Sequence, residues 1–245
     1  MKIKVHPLSY FIISSFILCG YFNYFLIISI ILFFHDLGHI ILMKIFKVSI
    51  KSISIMPFGS IINTDIKYNL NSNKLLLISL AGIIMQVIMY YIFNLLFTLN
   101  IITILTYNIF LIYNKNIILF NIIPIIPLDG SKILISILER FIPYRLSLKL
   151  VSFISLIGII LFIFLNSINL NLIMLIIYLF YKTYTDILSS KYIFNKFLLE
   201  RFLYKVKHQK IKNIKNIKNI YKNRYNFINN IEEYKILAKL FDNKG

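Results

Sequence analysis

The chain has few of the residues on which soluble and secreted proteins depend. Only 15% of its 245 residues are charged and only nine are acidic, whereas about a quarter of the residues in a typical soluble domain are charged. Cys19 is the only cysteine, which excludes a disulfide within the chain and argues against a thiolate metal site. Apolar residues make up 59% of the sequence, and the mean hydropathy is +0.79. The composition therefore predicts an all-α polytopic membrane protein.

Basic residues outnumber acidic ones and give a net charge of +18 that is unevenly distributed. From Lys182 onward there are 15 basic and five acidic residues, against 12 and four before it. A basic segment next to a membrane span predicts a cytoplasmic location and attraction to the anionic lipid of the bilayer. Nucleic-acid binding is not expected, because no folded basic module accompanies the charge. We also expect a cytoplasmic N-terminus and no cleavable signal peptide, since the apolar run continues beyond residues 1–7.

Long apolar runs predict about six transmembrane helices, since about 20 residues cross a bilayer as a helix. The runs are residues 8–42, which a turn at 19–23 would divide into two helices, and residues 75–99, 101–123, 150–165 and 170–180. Residues 49–66 differ, because isoleucines alternate there with lysine and serine before a Pro-Phe-Gly-Ser turn. This alternation predicts a small membrane-associated β-hairpin.

Two domains are expected, a transmembrane core over residues 1–190 and a basic cytoplasmic tail over residues 191–245. Residues 194–206 have an amphipathic pattern typical of a helix at the membrane surface. Residues 211–223 repeat Lys-Asn-Ile, which favours a solvated, low-complexity linker. Residues 231–240 are expected to form a short terminal helix.

His35 and His39 lie within the first apolar run. Because they are four residues apart, they fall on one face of a helix, where their imidazoles can hold one metal ion. Ionisable side chains at membrane depth are costly and usually line a functional cavity. The alternative is a pair of packed histidines that hydrogen-bond to their neighbours.

A metal held by two histidines needs a third ligand and an open position for water. Asp129 is the candidate, because it lies in an apolar neighbourhood just after Pro124 and Pro127 and is followed by Gly130. Two nitrogen donors and one oxygen donor suit zinc (Zn²⁺), which activates water for attack on a carbonyl. Asp36, next to the first histidine, would accept the proton of that water.

The two motifs resemble those of a known family. His35-Asp-Leu-Gly-His39 is similar to the HExxH helix of intramembrane metalloproteases of the site-2 protease family, and residues 121–130 resemble that family's second signature, which ends in Pro-Leu-Asp-Gly. The resemblance also includes residues 5–7, 56–59 and 197–201, and covers roughly residues 3–205 with the motifs in the expected order.

This resemblance implies a metalloendopeptidase with His35, His39 and Asp129 as zinc ligands and Asp36 in the position of the catalytic glutamate. It implies that Asn121 positions the substrate or stabilises developing negative charge. The hairpin would lie beside the site and take an unwound substrate by β-augmentation. The implied substrate is a membrane-associated protein of the pro-sigma-factor type, cleaved during sporulation in a bacterial cell or forespore membrane. Inhibitory membrane proteins are implied as further partners.

The sequence departs from the family pattern at two places. Asp36 is one methylene shorter than glutamate, which retracts the carboxylate by about 1.5 Å, so an inactive or weakened pseudoprotease that binds membrane clients is the alternative. No regulatory nucleotide-binding domain is expected, because about 40 residues follow Val206 and they are repetitive.

A transporter that uses these ionisable residues is a further alternative. Such a protein would show paired repeat halves, and the histidine helix has no counterpart in the second half of the sequence.

Overall fold

The computed structural model describes residues 2–5, 9–10, 14, 16, 18–56, 59–64, 69–166, 170–204 and 210–241. Its elements in chain order are β1 (Lys2–Val5), α1 (Phe22–Ile45), β2 (Ile50–Met56), β3 (Gly59–Thr64), α2 (Ser72–Thr98), α3 (Ile104–Ile122), α4 (Asp129–Phe141), α5 (Tyr144–Leu165), α6 (Leu170–Tyr204), β4 (Ile211–Ile214), a 3₁₀ turn (Ile217–Asn219), β5 (Tyr225–Ile228), β6 (Ile231–Glu232) and α7 (Glu233–Phe241). The protein is mostly helical, as predicted.

Within the described ranges, four helices are long and apolar enough to cross a membrane. They are Phe22–Ile45, Ser72–Thr98, Tyr144–Leu165 and Leu172–Tyr204. The predicted total of about six spans is not confirmed. Helix α3 is less apolar, with four asparagines and Lys115, and much of the predicted first helix before Cys19 lies outside the described residues.

Two small sheets correct the all-α prediction. In the first, β1 pairs in parallel with β2, and β2 pairs antiparallel with β3, so the strand order is β1-β2-β3. The predicted hairpin is therefore present, with a third strand from the start of the chain added to it. Strand β3 lies at the edge of this sheet. Residues 57–58 of the predicted turn lie outside the described residues.

The described chain divides into two compact units. The first comprises residues 1–66 and 77–121, and its apolar core contains Ile27, Ile31, Met89 and Phe110. Phe93 stacks on Phe110 with ring centroids 3.8 Å apart. This packing joins α1, α2 and α3 within the unit.

The second unit comprises residues 67–76 and 122–245, and its core includes Phe194, Phe197 and Leu198. These three residues belong to the predicted surface helix at 194–206, which is instead the last part of the 35-residue helix α6. That prediction is wrong, because the apolar face packs against protein. Helix α4 ends at Phe141 and α5 begins at Tyr144, so two residues separate these helices.

The Lys-Asn-Ile repeat is folded, which contradicts the predicted solvated linker. Its three-residue period buries Ile214 and Ile220, while Lys212, Lys215 and Lys218 are exposed. Strands β4 and β5 pair in parallel, β5 and β6 pair antiparallel, and α7 follows. The predicted terminal helix at 231–240 is confirmed by α7. The domain boundary at residue 190 stays a prediction.

Candidate metal centre

Helix α1 places His35 and His39 on one buried face, with 6% of each residue exposed. The ring nitrogen Nδ1 of His35 lies 3.1 Å from Gln86 Oε1, and Nδ1 of His39 lies 2.7 Å from the carbonyl oxygen of Ile78. The two Nε2 atoms face each other at 3.2 Å. Both imidazoles are therefore oriented by groups on α2.

These contacts determine which ring nitrogens can bind a cation. Gln86 Oε1 and the Ile78 carbonyl are acceptors, so both rings carry a proton on Nδ1 and donate it. In a neutral imidazole the lone pair is then on Nε2. Two such lone pairs point into the same small space, and their 3.2 Å separation is close to the roughly 3.3 Å between two donors of a tetrahedral zinc ion. The pair is thus suited to share a metal.

Two glycines allow α1 and α2 to approach closely enough for this arrangement. A Cβ on Gly82 would lie 2.5 Å from both His35 Cε1 and His39 Nε2, and a Cβ on Gly38 would clash with the carbonyl oxygen of Ala81. Any larger side chain at Gly82 would displace the imidazoles. The absence of a side chain at Gly82 therefore makes room for the two imidazole rings.

Asp129 is the first residue of α4 and is 4% exposed. A carboxylate in the first turn is favoured by the positive end of the helix dipole. Lys132 forms an ion pair with Asp129 Oδ1 at 2.9 Å. Glycine is required at position 130, because a Cβ there would clash with the carbonyl oxygens of Ile122 and Ile123.

The loop that precedes Asp129 is held by polar side chains from two spans of the same unit. The Ile126 N–H donates to the Ser155 hydroxyl at 3.2 Å, and the Thr183 hydroxyl donates to the Ile126 carbonyl at 3.3 Å. Ile125 is completely buried. The prolines interrupt the regular backbone hydrogen bonding of this loop, and these contacts supply partners for the N–H and carbonyl groups of Ile126. Backbone polar groups at membrane depth need such partners within the protein.

His35, His39 and Asp129 together form a group that could hold a metal ion. Their ligand atoms all lie within 4.8 Å of one another, and all three residues are buried. Two imidazole nitrogens and one carboxylate oxygen are the donor set of catalytic zinc sites that keep an open position. These are the three residues that the sequence predicted as ligands, and their role as ligands stays a prediction.

The other two predicted site residues are less well defined by their contacts. Asp36 follows His35 on α1 and is partly buried, but it does not belong to the three-residue donor group. Asn121 lies in the last turn of α3, where its side-chain amide donates a 3.1 Å hydrogen bond to the Ile117 carbonyl. The catalytic roles of both residues stay predictions.

Sequence reasoning missed Gln86, which is completely buried and contacts His35. A signal was available, because Gln86 is a polar residue within the apolar run 75–99 and follows Gly82 by four residues. That spacing places both on one helix face. An intramembrane amide aligned with a glycine could have been recognised as a partner for the histidine helix.

Known proteins resemble this chain in sequence and in fold. Residues 23–106 match the model of peptidase family M50. Over 207 residues the chain is 28% identical to stage IV sporulation protein FB of Bacillus subtilis (strain 168), covering 82% of this chain and 72% of that protein. The fold is similar to that of the site-2 protease from Methanocaldococcus jannaschii, with a TM-score of 0.57 and 25% identity, covering 75% of this chain and 89% of that one.

The matched region contains the histidine helix and all of the α2 residues that orient it. The resemblance that the two sequence motifs indicated is confirmed by these relatives, which also support metalloprotease activity. The pseudoprotease alternative is not favoured. Residues 23–106 therefore resemble a site-2 protease domain of peptidase family M50, and the relatives support intramembrane metalloprotease activity for the chain.

Proposed function

We propose that the chain is a zinc endopeptidase that cleaves a membrane-associated protein, of the pro-sigma-factor type, within or near the bilayer during sporulation. The observation that supports this most is the buried group of two histidines and one aspartate on helices of an apolar protein. The likeness to a stage IV sporulation protein favours the substrate class. A protease of this kind also needs restraint, which is consistent with inhibitory membrane proteins as partners.

We assign His35, His39 and Asp129 as the zinc ligands. When bound there, zinc supplies Lewis acidity, which polarises a scissile carbonyl and acidifies water. The protein contributes the orientation of the donors: Gln86 and the Ile78 carbonyl fix the imidazole rings, and the start of α4 presents the carboxylate. Burial excludes competing bulk water from this donor set.

Asp36 is proposed as the general base that accepts a proton from the attacking water. A general base acts at about 2.6–3.2 Å, directly or through one water. The shorter aspartate side chain is compatible with that role if a bridging water or the position of α1 compensates for the missing methylene. Asn121 is proposed to orient the substrate carbonyl through its side-chain amide.

The edge strand β3 is proposed as the substrate-docking element. A peptide bond inside a helix is not accessible to attack, whereas an extended segment can pair with an open sheet edge through backbone hydrogen bonds. Strand β3 occupies the edge of its three-stranded sheet. We further propose a multi-pass orientation in a bacterial cell or forespore membrane with both termini in the cytoplasm, as the basic C-terminal segment favours.

Cleavage of a membrane-tethered substrate tests the proposed function. The purified protein in lipid vesicles is mixed with a pro-sigma-type precursor, and with the same precursor lacking its membrane-associated extension. We expect cleavage of the tethered form, its loss on treatment with a zinc chelator, and its return on adding zinc. Cleavage that survives complete metal removal would contradict the proposal.

Replacing Gln86 with leucine is expected to weaken zinc binding about 10- to 100-fold, because outer partners of ligating histidines contribute at this level. The substitution keeps the side-chain volume but leaves the buried His35 Nδ1–H without its acceptor. Zinc affinity is measured by competition with a chromophoric chelator. Asn94→Leu on the same helix is the control, since Asn94 accepts a hydrogen bond from Tyr107 in an exposed position. Equal affinities for the two variants would exclude this role of Gln86.

A further inference from the structure

A buried ion pair joins helix α4 to the C-terminal subdomain, defined here as residues 210–241. Lys222 Nζ lies 3.0 and 2.9 Å from the two carboxylate oxygens of Glu139. The side chains are 4% and 0% exposed. Burial lowers the pKa of Lys222, while the Glu139 charge opposes that shift. Such pairs are weak evidence for stability, and their best-attested use is to fix one arrangement of the parts they join.

A residue of α6 also holds the backbone of Lys222 in place. Arg201, which is 2% exposed, donates from Nη1 to the backbone carbonyl of Lys222 at 2.8 Å and from Nη2 to Glu233 Oε1 at 2.7 Å. The second oxygen of Glu233 accepts hydrogen bonds from the backbone N–H and the side-chain amide of Asn226. The ammonium group that contacts Glu139 is therefore carried on a chain segment with a defined position.

Helix α4 connects this pair to the metal centre. Asp129 is its first residue and Glu139 lies ten residues later, a distance of about 15 Å along a helix. At the Asp129 end, Gly130 lies against the backbone of Ile122 and Ile123 with no space for a side chain. Helix α4 is therefore held by close contacts at both ends, which is the geometry that a coupling between Glu139 and Asp129 requires.

We propose that Glu139 and Lys222 are a positioning pair through which the C-terminal subdomain sets the placement of the Asp129 carboxylate for metal binding. The inference rests on the proposed role of Asp129 as a ligand. The exposed lysines of the repeat provide controls for this proposal. They are Lys212, Lys215 and Lys218. Replacing one of them removes a basic charge without removing the contact with Glu139, so the two effects can be measured separately.

The test compares zinc affinity in the full-length protein in detergent for Glu139→Gln, Lys222→Met and the charge-swapped Glu139→Lys/Lys222→Glu protein. Lys218→Met is the matched control. Melting temperature and trypsin resistance of the subdomain are measured in parallel. We expect each single variant to bind zinc about 10- to 100-fold more weakly, the range for partners outside the ligand set. The charge-swapped protein is expected to recover most of that loss, and the control to bind as the unmodified protein does.

Unchanged zinc affinity in a single variant whose subdomain has become sensitive to trypsin would overturn the inference, because the pair would then be only structural. If the single variants do not fold, the charge-swapped protein decides: a trypsin-resistant subdomain with weak zinc binding contradicts the positioning role. Asp129→Ala is measured alongside. Unchanged zinc binding there would refute the proposed ligand itself, whereas weakened binding in Asp129→Ala with normal binding in the pair variants would refute only the positioning role.

Discussion

Asp129→Ala is expected to abolish stable zinc binding and to lower cleavage of a membrane-tethered substrate by roughly 1,000-fold or more. The metal contributes several kcal/mol to stabilising the charge that develops on the reacting carbonyl, and each 1.36 kcal/mol corresponds to a factor of ten in rate. Removing the only carboxylate of the donor group leaves two imidazoles, which make an incomplete site. Zinc content per protein and the rate of precursor cleavage are the measurements.

Asp186→Ala is the matched control for this substitution. Asp186 is also a partly buried acid in a helix that is long and apolar enough to span a membrane, but it lies outside the donor group. We expect this variant to keep one zinc per chain and near-normal cleavage. Equal loss of zinc in both variants would indicate a general effect of removing intramembrane charge, and would contradict the ligand role of Asp129.

Asp36→Ala is expected to lower the cleavage rate about 100- to 10,000-fold, which is the usual contribution of a general base, while zinc remains bound. The reason is that Asp36 lies outside the donor group and is proposed to act on the proton of water. Asp36→Asn, which keeps the shape of the side chain but not its basicity, should behave in the same way. Single-turnover cleavage and zinc content are measured for each variant.

Asp36→Glu distinguishes an adapted site from an impaired one. If α1 places the aspartate carboxylate where it is needed, the longer glutamate is expected to match or reduce the natural rate. A large gain in rate with glutamate would mean that the natural aspartate is a weakened base. If the protein with Asp36 and all its variants bind zinc but leave every tethered substrate intact, the proposed protease mechanism is wrong.

The candidate metal centre could be proposed from the sequence because its signals are local. The spacing of His35 and His39 indicates that they share one helix face. Asp129 can be recognised because it is a charged residue that follows two prolines in an apolar segment. The hairpin at 49–66 was predictable for the same reason, because a two-residue period is visible in the sequence. Gln86 was harder, since its importance depends on a contact with a residue 51 positions away.

The C-terminal subdomain could not be predicted, because its stabilising contacts are distant in sequence. Lys222 pairs with Glu139 across 83 positions and Arg201 pairs with Glu233 across 32. Charged residues are rarely buried unless they are paired. When each of these residues is considered alone in the sequence, the prediction is therefore that its side chain is exposed to solvent. The repeat has the composition of a linker, and its three-residue period matches neither a regular helix nor a regular strand.

X-ray absorption spectroscopy at the zinc edge of the purified, zinc-loaded protein tests the central claim most directly. We expect one zinc per chain with nitrogen and oxygen neighbours at about 2.0–2.2 Å, together with the longer-range scattering of two imidazoles. In Asp129→Ala we expect fewer nitrogen or oxygen neighbours around the zinc, or loss of the metal. A shell that contains sulfur at about 2.3 Å, or a shell with fewer than two imidazoles, would contradict the assignment of His35, His39 and Asp129.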